Sequence, residues 1–320
     1  MASVTPSNED SAPITVDIAP DGDVVFIVGP TQRRIRVHSL FVKTASPVLD
    51  AMLGPNFKEG QRLAETSSAE TSSVKAGPVE IELPEDDADA IEIILNIIHG
   101  RNNKVPEQLS PNKLLQVALA GDKYDCLVSL AFAIWAWIGC KGINDPEELW
   151  ALALSAYLFQ EEEAFAEATS ALIFNHEGSY IDLVRNHEAV MDHVMLFNTA
   201  AMLEEARNRL RMKLLMDVLR GDGWQYGPGP KKRKHEADCC TGLVLSVGGL
   251  GNASLSRILE TLRQGDDLPA TDKVATLEPV DQRVRLIRSI ADKFAEDQHG
   301  HAHGLCTWCV RTGEDHDTHW

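Results

Sequence analysis

Apolar and acidic residues alternate without a break over Val79-Glu80-Ile81-Glu82-Leu83, and the apolar stripe Ile91, Ile94, Leu95, Ile98 follows soon after. The first pattern has the two-residue period of a strand with one wet face. The second has the i, i+3, i+4, i+7 spacing of a helix face. The two patterns read as a strand followed by a helix. Pro84 closes the strand, and His99-Gly100 ends the helix with glycine just past the C-cap. Upstream, Val24–Val28 is continuously apolar, as in a strand buried on both faces, and Arg34-Ile35-Arg36-Val37 alternates. Gly29-Pro30 between them is a turn signal. His38 then leads into SLFVKTASPVLDAMLG. Ser46-Pro47 divides this run into two short helices, because the residue before proline avoids the helical region.

Ser110-Pro111 begins a further helix with an N-cap and an N1 proline, and its core residues are Leu114, Leu115, Ala118 and Leu119. The longest apolar run is Leu127–Cys140, LVSLAFAIWAWIGC. It falls short of the roughly 20 residues that cross a bilayer and reads as a buried core helix. The low-complexity stretch ETSSAETSSVKAG carries too little apolar surface to bury, so 61–78 is expected to be a mobile insert.

The order DVVFIVG, RIRVHSLFVKTASPVLDAMLGPNFKEG, VEIELPEDDADAIEIILNIIHG, LLQVALAGDKYDCL resembles the BTB/POZ domain. The matching points are Asp23, His38, Ser46-Pro47, Phe57-Lys58-Glu59 and Gly100. His99 stands where many animal members carry Tyr, and His-Gly there looks like members from filamentous fungi. The resemblance implies an α+β fold: a BTB/POZ-like N-terminal domain, a small sheet flanked by helices, followed by a mostly α-helical C-terminal region. It also implies a protein-binding module that self-associates, a homodimer through this domain. Members recruit protein partners, some as substrate adaptors that bind the cullin scaffold of a ubiquitin ligase. An apolar-x-acidic motif often serves cullin binding. Val105-Pro106-Glu107 has that composition but lies several residues early relative to Leu114-Leu115.

The expected organisation is a disordered N-terminus at 1–13, the BTB/POZ-like domain at 14–140, and a helical extension at 141–220. A linker with a basic run follows at 221–238, and 239–320 is a helical region with a Cys/His-rich tail. Asp145-Pro146 is a helix start, and Glu161–Glu163 begins a second helix carrying Phe165, Ala168 and Leu172. A long helix is expected from about 188 to 220, with Leu203, Leu210, Leu214 and Val218 along it. Stripes return at Leu255, Ile258, Leu259, Leu262 and at Val284, Ile287, Ile290, Phe294.

Lys231, Lys232, Arg233 and Lys234 form the one dense basic run. After Pro230 it resembles a nuclear localisation signal, and the plain alternative is a solvated charge run. Cys306-x-x-Cys309 has the spacing that lets two thiolates grip one metal. His301, His303, Cys239 and Cys240 are the further donors a tetrahedral zinc would need. The other reading is a polar tail with incidental Cys and His.

Charge excludes several functions. With 48 acidic and 30 basic residues the chain carries −18, and no region is basic enough to grip a phosphate backbone in bulk. Direct nucleic-acid binding is therefore not expected, nor is binding to anionic membrane. Residues 1–13 lack the cationic end and apolar core of a secretory signal. Six Cys in 320 residues do not make a disulfide framework, which points to a reducing compartment, nucleus or cytoplasm. The sequence shows no phosphate-binding glycine loop and no nucleophile with a spaced base. His38 and Asp23 at a strand–helix junction read as structural, as do the carboxylates Glu85–Asp87 and Asp89 at a helix start. The functional expectation is a non-catalytic interaction protein with no cofactor of its own. The alternative is a nuclear, transcription-linked regulator with a zinc-pinned C-terminal module.

Overall fold

The computed structural model describes residues 15–68, 77–140, 142–187 and 191–220, together with 254, 257, 258, 260, 305 and 307–312. The chain divides into two compact units, Met1–Ile138 and Gly139–Trp320. The first is a mixed four-stranded sheet with helices, and the described part of the second is helical, so the chain is α+β.

The sheet is built from β1 (Thr15–Asp17), β2 (Val24–Val28), β3 (Arg33–Val37) and β4 (Val79–Leu83), in the order β1-β3-β2-β4. β2 pairs antiparallel with β3, and its other edge pairs parallel with β4, so that Phe26 lies between Ile35 and Ile81. The continuous apolar run of β2 occupies the central position of this three-strand core. Its Val24, Phe26 and Val28 are buried, as are Ile35, Val37, Val79, Ile81 and Leu83. β1 adds parallel to the far edge of β3. Three residues are too few for an alternation signal, and that strand is not among those expected from sequence.

Ser46-Pro47 divides the helical run as anticipated into α1 (Ser39–Ala45) and α2 (Pro47–Met52). The fully buried Ser46 hydroxyl caps α2 by accepting from Leu49 N–H at 3.0 Å, and it donates to the Tyr124 carbonyl. Helix α3 (Lys58–Ser68) runs into the stretch from 61 onward that the sequence suggests as a mobile insert. Leu63 is its buried anchor, and Gly60 lets the helix start close on α2. A Cβ at Gly60 would lie 1.9 Å from the Gly54 carbonyl oxygen. The part of the expected insert at 69–76 lies outside the described residues.

Helix α4 (Ala88–Ile98) starts at Asp87, which accepts from Ala90 N–H at 2.8 Å, and ends at His99 with Gly100 at φ +69°. Its stripe Ile91, Ile94, Leu95 is buried. Helix α5 (Pro111–Lys123) buries Leu114, Leu115, Val117 and Ala118. Helix α6 (Leu127–Trp137) departs from the expected core helix. It buries Leu130, Ile134 and Trp137, while Val128, Phe132 and Trp135 are 93, 92 and 80 % exposed. An apolar helix without a polar face offers no periodicity from which to read which side turns inward.

In the second unit α7 (Pro146–Phe159) and α8 (Glu162–Asn175) form a hairpin. Ala151, Ala153, Ala156 and Ala168 of this hairpin are buried. Asp145 caps α7 by accepting from Glu147 N–H at 3.0 Å. A short helix, α9 (Tyr180–Arg185), precedes α10 (His193–Arg220). In α10 Leu203 is buried, and Glu205 and Arg209 pair at 3.1 Å as their i, i+4 spacing anticipates. The side chains of Leu214 and Val218 are outside the described residues. Described residues of the C-terminal region belong to this same unit. Ile258, Leu305 and Val310 are buried, and Leu305 N–H donates to Thr169 Oγ1 at 2.8 Å.

Candidate interaction surfaces

The start of α1 has no cap of its own, because the His38 side chain makes no capping bond. Asp23, just before β2, supplies it. Its carboxylate accepts from Ser39 N–H at 2.7 Å and from the Ser39 hydroxyl at 2.6 Å. This is a structural role, as the sequence suggested. The His38 ring lies 3.2 Å from Asp21, an exposed carboxylate. His99 closes the cluster from the end of α4, with its ring 5.1 Å from that of Phe41. Burial holds the His99 imidazole below the ordinary histidine range, and the neighbouring His38 and Arg101 add to that. With its start pinned in this way, α1 presents Leu40 and Phe41 to solvent, 70 and 47 % exposed.

By sequence Asp86 reads as one of the carboxylates of a helix start. It is instead buried, accepting from Lys123 Nζ at 2.8 Å and from the Tyr124 hydroxyl at 2.7 Å. It thus ties the β4–α4 turn to the end of α5. Asp89 does sit in the first turn of α4, where it pairs with Arg33 at 2.7 Å. Val105-Pro106-Glu107 follows a 3-10 turn at Asn102–Lys104. Pro106 and Glu107 are exposed, and the Pro106 carbonyl accepts from Trp137 Nε1 at 2.8 Å.

A third feature had no sequence signal. A cleft of about 770 Å³ opens between α2, the start of α3 and β4. Val48, Met52, Phe57 and Ile81 line it, with Glu59, Arg62, Glu80 and Glu82 among its charged groups. Val48 is 38 % and Phe57 51 % exposed. It joins residues far apart in the chain, so no local pattern announces it.

The residues anticipated as zinc ligands are not brought together in what is described. Cys239, Cys240, His301, His303 and Cys306 lie outside the described residues. Cys309 falls in the short helix Thr307–Thr312, its side chain outside them too. Among the described residues no group of three His, Cys, Asp or Glu is placed to hold a metal ion. Lys231, Lys232, Arg233 and Lys234 also lie outside them. The two described free thiols are not activated. Burial pushes Cys126 up to about 11, with the Asp125 charge adding, and pushes Cys140 up to about 11, with Glu167 adding. No helix among the described residues is long and apolar enough to cross a membrane. Compared with protein-family models and with curated proteins, the chain matches none.

Proposed function

We propose that the chain is a non-catalytic interaction protein whose first unit is a BTB/POZ-like domain that self-associates and recruits protein partners. The order of strands and helices in 14–140 supports the reading: β2, β3, α1, α2, then β4, α4 and α5. The observation that carries it is the pair Leu40 and Phe41. They stand in solvent on a helix held at its start by Asp23 and flanked by His38 and His99. Large apolar side chains on a pinned element mark an association surface. Burying this face against the same face of a second copy gives an isologous dimer. The second unit then extends the surface available to partners. Adapting a substrate to a cullin-type ubiquitin ligase is the form of recruitment that the resemblance implies.

Multi-angle light scattering of the full chain tests the reading. The expected result is a dimer that the variant Phe41→Glu converts to a monomer with unchanged circular dichroism. A wild-type chain that stays monomeric at every concentration measured overturns self-association. Affinity purification from native cells then reads the partner, with a cullin as the expected one for an adaptor.

A further inference from the structure

We infer that the outer edge of β4 accepts an extended, basic segment of another protein as a fifth strand. β4 ends the sheet order. Its Val79 N–H donates to Asp23 O at 2.9 Å, and its Leu83 carbonyl accepts from Gly29 N–H at 2.9 Å. In a parallel ladder both backbone groups of alternate residues point to the same neighbour. The N–H and C=O groups of Val79, Ile81 and Leu83 therefore face β2, and those of Glu80 and Glu82 face away. Among the described residues, no backbone group pairs with them. Proteins ordinarily blunt such an edge with proline, charged side chains, a bulge or a covering helix. Val79–Leu83 has no proline, lysine or bulge and pairs with β2 in unbroken register; Glu80 and Glu82 are its charged residues, and α3 packs beside it.

The free edge opens on the cleft rather than on bulk solvent alone. Glu80, Ile81 and Glu82 form one wall of it, and Val48, Met52 and Phe57 line it from the helical side. An added strand places alternate side chains on opposite faces. One set reaches the apolar lining, and the other lies beside Glu80 and Glu82.

Charge selects the occupant. Among the described residues, Glu59, Glu80 and Glu82 line the cleft with Arg62 as the one cation, and Glu80 has Arg34 as its ion-pair partner across the sheet. A second copy adding through its own β4 edge would set glutamates against glutamates, and like charges directly opposite destabilise a ladder. A segment alternating basic with apolar residues satisfies both faces, and the −18 charge of the chain would speed its approach. This site is separate from Leu40 and Phe41, and the inference stands whether or not the chain dimerises through them.

The test is fluorescence anisotropy of a labelled peptide alternating arginine and valine, titrated with the full chain. Saturable binding is expected. It should weaken about ten-fold or more when alternate backbone amides of the peptide are N-methylated, because the strand hydrogen bonds are lost. The Glu80→Lys/Glu82→Lys variant should weaken it similarly. The N-methylated peptide is read on the unmodified chain, so the result does not depend on the variant folding. An N-methylated peptide that binds as well as its parent overturns strand addition and leaves general attraction to an acidic surface. A glutamate-valine peptide binding equally overturns the basic partner. A change in the oligomeric mass of the double variant assigns the edge to a second copy, and no saturable binding overturns the site.

Discussion

The backbone N–H of His38 donates to Nε2 of His99 across 3.2 Å, while Nδ1 of His99 lies 2.8 Å from the Leu95 carbonyl oxygen. A carbonyl can only accept, so Nδ1 carries the proton and Nε2 is the bare acceptor. Only the neutral ring makes both bonds. Protonation puts a second N–H against the His38 amide and breaks the link between α4 and the start of α1.

The pH dependence follows. Burial lowers the His99 pKa from its ordinary 6.5, so below that value the unfolded chain binds more protons than the folded one. The contribution of His99 is complete above 6.5 and is lost as pH falls from there through the lower folded-state value. Urea midpoints of wild type and His99→Gln should therefore differ more at pH 7.5 than at pH 5. An equal difference at both would mean that the neutral ring contributes nothing. His176, also held low by burial, titrates in both proteins and cancels in this comparison.

Burial of the thiols at Cys126 and Cys140 predicts low reactivity. At neutral pH each is almost wholly protonated, since both are pushed up to about 11, and the thiolate is the nucleophile. Peptide mapping after brief treatment with iodoacetamide at pH 7.5 should find both unmodified in the native chain and modified in urea. Rapid native labelling of Cys126 would show that the α5–α6 junction opens readily.

How much was legible in the sequence depended on whether the cause was local. The strands β2, β3 and β4 were readable because each carries its period within five residues, and Ser46-Pro47 and Asp145-Pro146 mark their helix boundaries with their own side chains. Asp86 was not readable, because its partners Lys123 and Tyr124 arrive from another helix. The start of α3 was obscured by polar residues, in which Leu63 is the one buried apolar anchor among described side chains. The open edge of β4 was hidden by its own clean alternation, which tells which face is wet but not which neighbour is missing.

Arg207 offers a case in which removing charge should not cost stability. It is 2 % exposed on α10, pairs with Glu204, and lies 4.4 Å over the Tyr180 ring. One amino group donates weakly to the His176 carbonyl at 3.4 Å, and Nε has no partner among the described residues. Burying a half-satisfied guanidinium is costly, and removing one partner of an ion pair is harmful chiefly where the charge left behind is buried; Glu204 is 42 % exposed and stays solvated. Arg207→Met should melt at the wild-type temperature or above. Arg207→Ala should lose about 2–5 kcal/mol through the cavity it leaves. A Met variant as unstable as the Ala variant would show that the charge itself holds the α8–α9 turn.

The apolar run at 127–140 separates two kinds of helix by a single measurement. If α6 were the core helix that its composition suggests, Phe132 and Trp135 would be packed, and truncating either would cost about 3–5 kcal/mol. Both are instead more than three-quarters exposed, whereas Leu130 and Ile134 face inward. Phe132→Ser and Trp135→Ser should then change the unfolding free energy from urea titration by no more than about 0.5 kcal/mol, as substitutions on open surface do. Leu130→Ala should lose roughly 2–5 kcal/mol. An apolar patch of this kind drives association, so the Phe132→Ser/Trp135→Ser variant should also remain soluble to higher concentration at unchanged fold. Large destabilisation by Phe132→Ser with little effect of Leu130→Ala would mean that α6 is turned about its axis relative to the arrangement described.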